Sequence, residues 1–309
     1  MKFRARCLVL AIGIVAMLMV AVGCGGGGQD ALKQGGGGSG GSIVVGSANF
    51  SEQLILGNMY AEVLEDQGLK VERRLNLGTR DVVFPSLKSG EITLVPEYNG
   101  ALLAYLSKGE SNVTSPEQTT KQLKDALPSS LVALDASDAQ DKDALVVTPE
   151  TAKKYDLENT SDLSSVADKL VVGGPPEMET RPDGLPGLKR VYGIEFEEFK
   201  PLDAGGPLTV EALANGDIDV GRMFTSQGLI DARGWIVLAD DKELSPAQNI
   251  IPIIRKQDNS GKIESALNKL SATLTTEDLK KLNKRVDVDK ADPEVVAKDY
   301  LKQKGLLGG

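Results

Sequence analysis

The chain has 309 residues, 44 acidic against 35 basic side chains, a formal net charge of −9, two cysteines and no histidine. An acidic surface disfavours nucleic acid. The lack of histidine removes the usual general base, the Ser-His-Asp triad and the commonest transition-metal ligand. Both cysteines, Cys7 and Cys24, sit at the amino terminus, so the remainder of the chain has no disulfide, thiolate catalysis or cysteine-held metal. No catalytic residue, metal or cofactor is expected, and an enzyme is disfavoured.

At the amino terminus Lys2, Arg4 and Arg6 precede an uncharged apolar stretch over 8–22 that reaches Ala21-Val22-Gly23-Cys24. This reads as a secretory signal, residues 1–23, rather than a spanning helix. The Val-Gly-Cys ending looks like a lipobox, with Ala21 where leucine is commoner. Cys24 would then be acylated and become the first mature residue; the alternative is an ordinary signal with an incidental cysteine. Loss of the three basic residues takes the formal charge from −9 to −12. Residues 24–42 carry two glycine runs with little that is apolar, a flexible tether. One acyl chain binds a bilayer weakly, so a stable anchor needs several. The body, 43–309, is thus expected outside the cytoplasm, lipid-anchored to the outer face of the cell membrane.

Through the body, strands and helices alternate, which predicts α/β lobes with largely parallel sheets. A strand over 43–46 leads to a helix from the candidate cap Ser51 to about 67, stopped by Gly68. A strand over 71–75, a helix over 79–89 and a strand over 92–95 follow, with Pro96 marking that strand's end. Helices are predicted from residue 97 or 98 to 106 and over 116–127, then strands near 131–134 and 144–147. Thr148-Pro149 opens a second lobe with strands at 170–172, 198–202, 218–223 and 236–238, and helices at 185–192, 208–214 and 226–233. A strand over 250–254 returns to the first lobe. Helices near 262–274, 276–285 and 293–304 complete the chain, with Thr275 and Asp292 as caps of the last two. The organisation is therefore 43–145 for lobe 1, 146–248 for lobe 2, and 249–309 for the return strand and carboxy-terminal helices. Two crossings between lobes would act as a hinge.

One pattern occurs twice. Leu87-Lys88-Ser89-Gly90-Glu91-Ile92-Thr93-Leu94 runs on to Tyr98, and Leu213-Ala214-Asn215-Gly216-Asp217-Ile218-Asp219-Val220 runs on to Phe224, 126 residues later. In each, a helix stops at a glycine suited to a left-handed cap, and a short strand ends in a loop four residues before the ring. Two such lobes face to face would each present one aromatic to a cleft, the build of a clamshell receptor for a small ligand.

Gly46-Ser47-Ala48-Asn49-Phe50-Ser51-Glu52-Gln53 resembles the opening of the bacterial osmoprotectant-binding proteins, the glycine betaine, carnitine and choline receptors of ABC importers. The resemblance continues collinearly through Leu77-Gly78-Thr79-Arg80, Leu87 to Gly90, Pro96-Glu97-Tyr98-Asn99-Gly100, Arg181-Pro182-Asp183-Gly184-Leu185, 213–220 and Asp240-Asp241-Lys242. It implies a two-lobed type II periplasmic-binding fold with two hinge crossings. It also implies a small-molecule ligand, an ABC permease partner and, in many members, an aromatic cage for a quaternary ammonium. Ring faces attract such a cation, which donates no strong hydrogen bond, by about 0.5 to 2 kcal/mol per contact.

By that resemblance Tyr98 matches one cage tyrosine and Phe224 falls where another lies. Two further cage positions fall on Asp143 and Val210. Asp143 is either a direct partner for a cation or a solvated strand-start carboxylate. Arg181 matches an arginine suited to a ligand carboxylate, or is a surface arginine. Ala48 and Ala101 replace polar residues found in some members. Gln53 is a ligand contact at the first helix start, whose amides also suit an anion. Glu97 either adds cation attraction or caps a helix. Tyr60, Tyr105 and Trp235 read as core, and Gly205-Gly206-Pro207 as a turn. The expected ligand is a compatible solute such as glycine betaine, choline or carnitine. Alternatives are a non-ammonium polar or aromatic molecule on the same receptor, a sensor or adhesin that does not transport, and a clamshell enzyme using Glu97 and Asp143.

Overall fold

A computed structural model describes residues 42–108, 113 and 115–308. The expected signal segment, the acylated Cys24 and the tether up to residue 41 lie outside the described residues. In chain order the strands are β1 (Ile43–Gly46), β2 (Val71–Arg74), β3 (Leu94–Tyr98), β4 (Leu131–Ala133), β5 (Asp143–Val147), β6 (Val171–Gly174), β7 (Glu198–Pro201), β8 (Val220–Phe224), β9 (Ile236–Val237) and β10 (Ile250–Arg255). The helices are α1 (Ser51–Asp66), α2 (Arg80–Ser89), α3 (Asn99–Ser107), α4 (Pro116–Ala126), α5 (Pro149–Tyr155), α6 (Leu185–Gly187), α7 (Pro207–Asn215), α8 (Gly228–Arg233), α9 (Gly261–Ser271), α10 (Thr276–Asp287) and α11 (Pro293–Gln303). α6 continues as a π turn over Leu188–Tyr192.

The strands form two five-stranded sheets with one topology. Sheet 1 runs β2-β1-β3-β10-β4 and sheet 2 runs β7-β6-β8-β5-β9. In each, the first three strands are parallel and the fourth is antiparallel to the third. Apolar clusters cover both faces of each sheet, as near-continuous apolar strands require. The one face of sheet 1 packs on α1, α9, α10 and α11, so the carboxy-terminal helices complete the first lobe.

Caps account for several helix ends. Thr275 and Asp278 form a reciprocal capping box for α10, and the Asp292 carboxylate accepts the amides of Glu294 and Val295 at the start of α11. Gly90 and Gly216, the paired glycines of the repeat, both end their helices in the left-handed region at φ 88° and 77°.

Several details depart from the sequence reading. Pro96 does not end a strand; it sits inside β3 opposite Pro252. The amide of Asn99 donates to the Asn249 carbonyl, so alternation along the antiparallel pair leaves Pro96 and Pro252 at a non-hydrogen-bonded position. Neither missing N–H takes a bond from the β3–β10 ladder. The repeat's ring is the last residue of its strand, not a loop residue beyond it: β3 ends on Tyr98 and β8 on Phe224. Ser51 does not cap α1; its hydroxyl donates to Asp287 Oδ1 at 2.5 Å, and Phe50 holds the cap position. The crossing lies ahead of 145/146, because Asp143 and Ala144 already pair with Phe224 and Met223 in sheet 2. The outgoing and returning segments run side by side, with Gln140 bridged to Asn249, the Asp141 amide on the Gln248 carbonyl and the Ile250 amide on the Ala139 carbonyl.

Candidate functional site

Between the ends of β3 and β8 lies a cleft of about 1510 Å³, larger than the ~300–1,000 Å³ of a closed small-molecule pocket. Tyr98, Phe224, Asp143, Arg181 and Gln53 all line it, and so does Val210. The topology accounts for this: parallel strands open their carboxyl ends to one side, and both repeats end a central strand there.

On the sheet 1 side the Tyr98 ring is fixed at both ends. Its hydroxyl donates to Glu52 Oε1 at 2.6 Å, and its face lies against Phe50, ring centroids 6.4 Å apart and 19° from parallel. Phe50 is 41% exposed and also lines the cleft. Sequence reading missed it, although it sits directly before the helix start in the Gly46–Gln53 motif. Gln53 is buried, and its Oε1 accepts the Ala48 amide at 3.3 Å. Glu97 is bidentate with Arg80, at 2.8 Å for the shortest contact, and also accepts the Tyr98 amide. Glu97 therefore does not cap α3, whose cap position Tyr98 holds, and its charge is paired with Arg80.

On the sheet 2 side Phe224 is partly exposed and lies directly opposite Asp143 in the β5–β8 ladder. Asp143 lines the cleft but is an ion-paired carboxylate, not a free one. Its Oδ2 is 2.7 Å from the guanidinium of buried Arg222, which also meets Asp183 Oδ2 at 3.3 Å and the Asp183 carbonyl at 3.0 Å. Arg222 was missed because nothing in a strand pattern marks one buried arginine. Arg181 is exposed on the loop before α6 and lines the cleft. Tyr105 is also not core: it is 37% exposed, meets Phe84 edge to face and lines the cleft. Tyr60 and Trp235 are buried as expected.

Beneath the rings a buried polar cluster joins both sides. Glu52 Oε2 accepts from Asn283 Nδ2 at 2.7 Å, and Asp141 Oδ1 accepts from the Ser226 hydroxyl at 2.7 Å and its amide at 3.1 Å. Asn283 Nδ2 also reaches the Ser226 carbonyl and hydroxyl oxygens. Burial raises the Glu52 carboxyl above its ordinary range, despite hydrogen bonds from Tyr98 and Asn283 that favour the anion. Burial, then the nearby Glu52 charge, raises Asp141 well above its own. Burial and the Glu52 charge likewise hold the Tyr98 phenol protonated far above its usual range.

Two sheets of this topology around an inter-lobe cleft define the class of type II periplasmic-binding proteins. A crystal structure of a glycine betaine/carnitine/choline ABC transporter component superposes with a TM-score of 0.76 at 26% identity, over 86% of this chain and 99% of that one. The family model for the substrate-binding domain of ABC-type glycine betaine transport systems (OpuAC) matches residues 41–303, and the chain belongs to that family. Among curated relatives, the carnitine transport binding protein OpuCC of Listeria monocytogenes is 28% identical over 294 residues, 93% of this chain and 91% of that protein. The glycine betaine-binding protein YehZ of Escherichia coli is 28% identical over 277 residues, 85% and 90% respectively. The protein is a substrate-binding component of an ABC transporter. Among the described residues no helix is long and apolar enough to cross a membrane.

Proposed function

We propose that the protein is a lipid-anchored extracytoplasmic receptor that captures a quaternary ammonium solute such as choline, glycine betaine or carnitine for an ABC importer. The observation that carries this reading is the stacked Phe50–Tyr98 pair facing a cleft that Phe224 also lines. Ring faces suit a cation with methyl groups, through quadrupole attraction and apolar burial. Tyr98, Phe50 and Gln53 form the first-contacted wall. Closure brings Phe224 and Arg181 across, and ligand drives it by preferring the closed form. Asp143 serves the site by fixing Arg222 rather than by meeting the cation. The closed form is what the permease recognises. Acylation at Cys24 holds the receptor at the membrane, and the Val22-Gly23-Cys24 ending supports that part.

Thermal unfolding with choline, betaine, carnitine, sugars and uncharged aromatics tests the ligand class. A ligand that binds only the folded form raises the midpoint. A rise with a quaternary ammonium, lost in Tyr98→Ala, is expected; a rise with only a sugar or an uncharged aromatic would overturn the class. Labelled fatty acid incorporated into the wild type but not into Cys24→Ala tests the anchor.

A further inference from the structure

Three carboxylates lining the cleft are buried: Glu52, Glu97 and Asp141, at 3%, 5% and 8% exposure. Glu97 is matched by Arg80, and the less buried Asp143 and Asp183 share Arg222. Glu52 and Asp141 differ from all of these. Among the described residues neither forms an ion pair, and their partners are neutral donors: the Tyr98 hydroxyl, Asn283 Nδ2, and the Ser226 amide and hydroxyl.

A third group in the same place is unanswered. Asn283 is 2% exposed, lines the cleft, and has no donor to its Oδ1. The amide cannot be turned over to cure this, because Nδ2 already serves Glu52 and Ser226. Two carboxyl groups and one amide oxygen thus share a buried site at the root of the aromatic wall. What they lack is positive charge. The titratable groups around them only deepen that lack: Asp287 acts on Glu52, Asp143 acts on Asp141, and Tyr98 stays neutral.

We propose that Glu52 and Asp141, rather than Asp143, supply the counter-charge that selects a cationic ligand in this cleft, acting from behind the Tyr98 ring. The proposal rests on the quaternary ammonium reading above. In the empty cleft the pair keeps a proton because two buried anions this close are costly. A ligand cation over Tyr98 favours the ionised pair, so binding expels that proton. The same carboxylate pulls on the phenol proton of Tyr98 and so enriches the ring that faces the cation. A nearby opposite charge lowers a carboxyl pKa by about 1 to 3 units. By linkage, affinity for the cation differs about 10- to 1,000-fold between the ionised and protonated pair. Affinity therefore rises with pH, by up to about tenfold per unit, through the raised range of the free protein.

Calorimetric titration of the protein with choline, from about pH 5 to about pH 9 in buffers of different ionisation enthalpy, reads the proton directly. Proton release on binding is expected, with affinity climbing as pH rises. Glu52→Gln and Asp141→Asn should each reduce the release and flatten the pH profile. A variant that merely loosens packing would weaken binding at every pH and leave the release intact. Choline that binds with no proton exchange anywhere in that range, a measurement needing no variant, overturns the proposal. Failure of choline, betaine and carnitine alike to bind instead overturns the ligand class on which it rests, and is recognised by the absence of any binding heat.

Discussion

Sheet 1 and sheet 2 end their central strands on aromatic residues 126 positions apart, and the two ends are held in different ways. Tyr98 is buried, its hydroxyl on a carboxylate that forms no ion pair among the described residues. Phe224 has no hydroxyl and is half-buried beside Asp143, whose charge Arg222 cancels. The repeat offset aligns Pro96 of β3 with Arg222 of β8, so one lobe has a proline where the other has its buried cation. The same backbone thus yields a wall with unpaired buried carboxyls on one side and a charge-compensated wall on the other. An asymmetric cleft of this kind binds first on the preorganised wall, which is where preorganisation lowers the cost of binding.

Breaking the compensated wall should have the largest effect. Arg222→Ala leaves Asp143 and Asp183 facing each other without a cation, and loss of one partner of a buried pair costs about 3 to 5 kcal/mol. At about 2 to 4 °C per kcal/mol for a domain of this size, the unfolding midpoint should fall by roughly 10 °C. Calorimetry checks this, and an unchanged midpoint would mean water takes over the guanidinium's role. Tyr98→Ala attacks the other wall through binding instead. Losing one ring's burial and its cation contact removes about 3 kcal/mol, roughly a hundredfold in affinity by titration calorimetry. Between the walls, at the crossing, Gly100→Ala would put a Cβ 2.2 Å from the Ala247 carbonyl oxygen, a backbone atom that cannot step aside. Overpacking of that kind costs about 1 to 3 kcal/mol, readable in a denaturant midpoint.

Much of this asymmetry was invisible in the sequence, while the frame around it was not. Alternation, capping and glycine stops located nearly every element within a few residues, because those signals are local. The repeat marked both rings, and both line the cleft. What failed were judgements that depend on distant partners. Pro96 looked like a strand end because only pairing with Pro252 shows that the β3–β10 ladder loses no bond. Asp143 looked available because Arg222 lies 79 residues away in the chain. Phe50 and Tyr105 carry no periodic mark of exposure, and their faces are decided by the cleft. The Glu52–Asn283–Ser226–Asp141 cluster draws on four separate segments, and no spacing could have assembled it.

Smaller effects sharpen the contrast further. In the empty protein the raised Asp141 carboxyl contributes stability at low pH that is lost as pH rises through its folded value. Asn can still accept both Ser226 bonds through its oxygen without carrying the charge. Asp141→Asn should therefore unfold a few degrees above the wild type at about pH 8, with the gain vanishing towards acid. A variant no more stable than the wild type at the higher pH would show that the pair is already relieved by solvent.

Phe224→Tyr should do least of all. It gives sheet 2 the same ring and hydroxyl that sheet 1 carries, yet the aligned residue to anchor it is missing: opposite Phe224 stands Asp143, already held by Arg222. The new hydroxyl gains no unshared carboxylate and, at a half-buried position, stays in water. Affinity for choline should change by less than about threefold, under 1 kcal/mol. A gain beyond about tenfold would mean that the hydroxyl takes Asp143 from Arg222. The difference between the two walls would then lie in one oxygen atom rather than in the buried charges behind it.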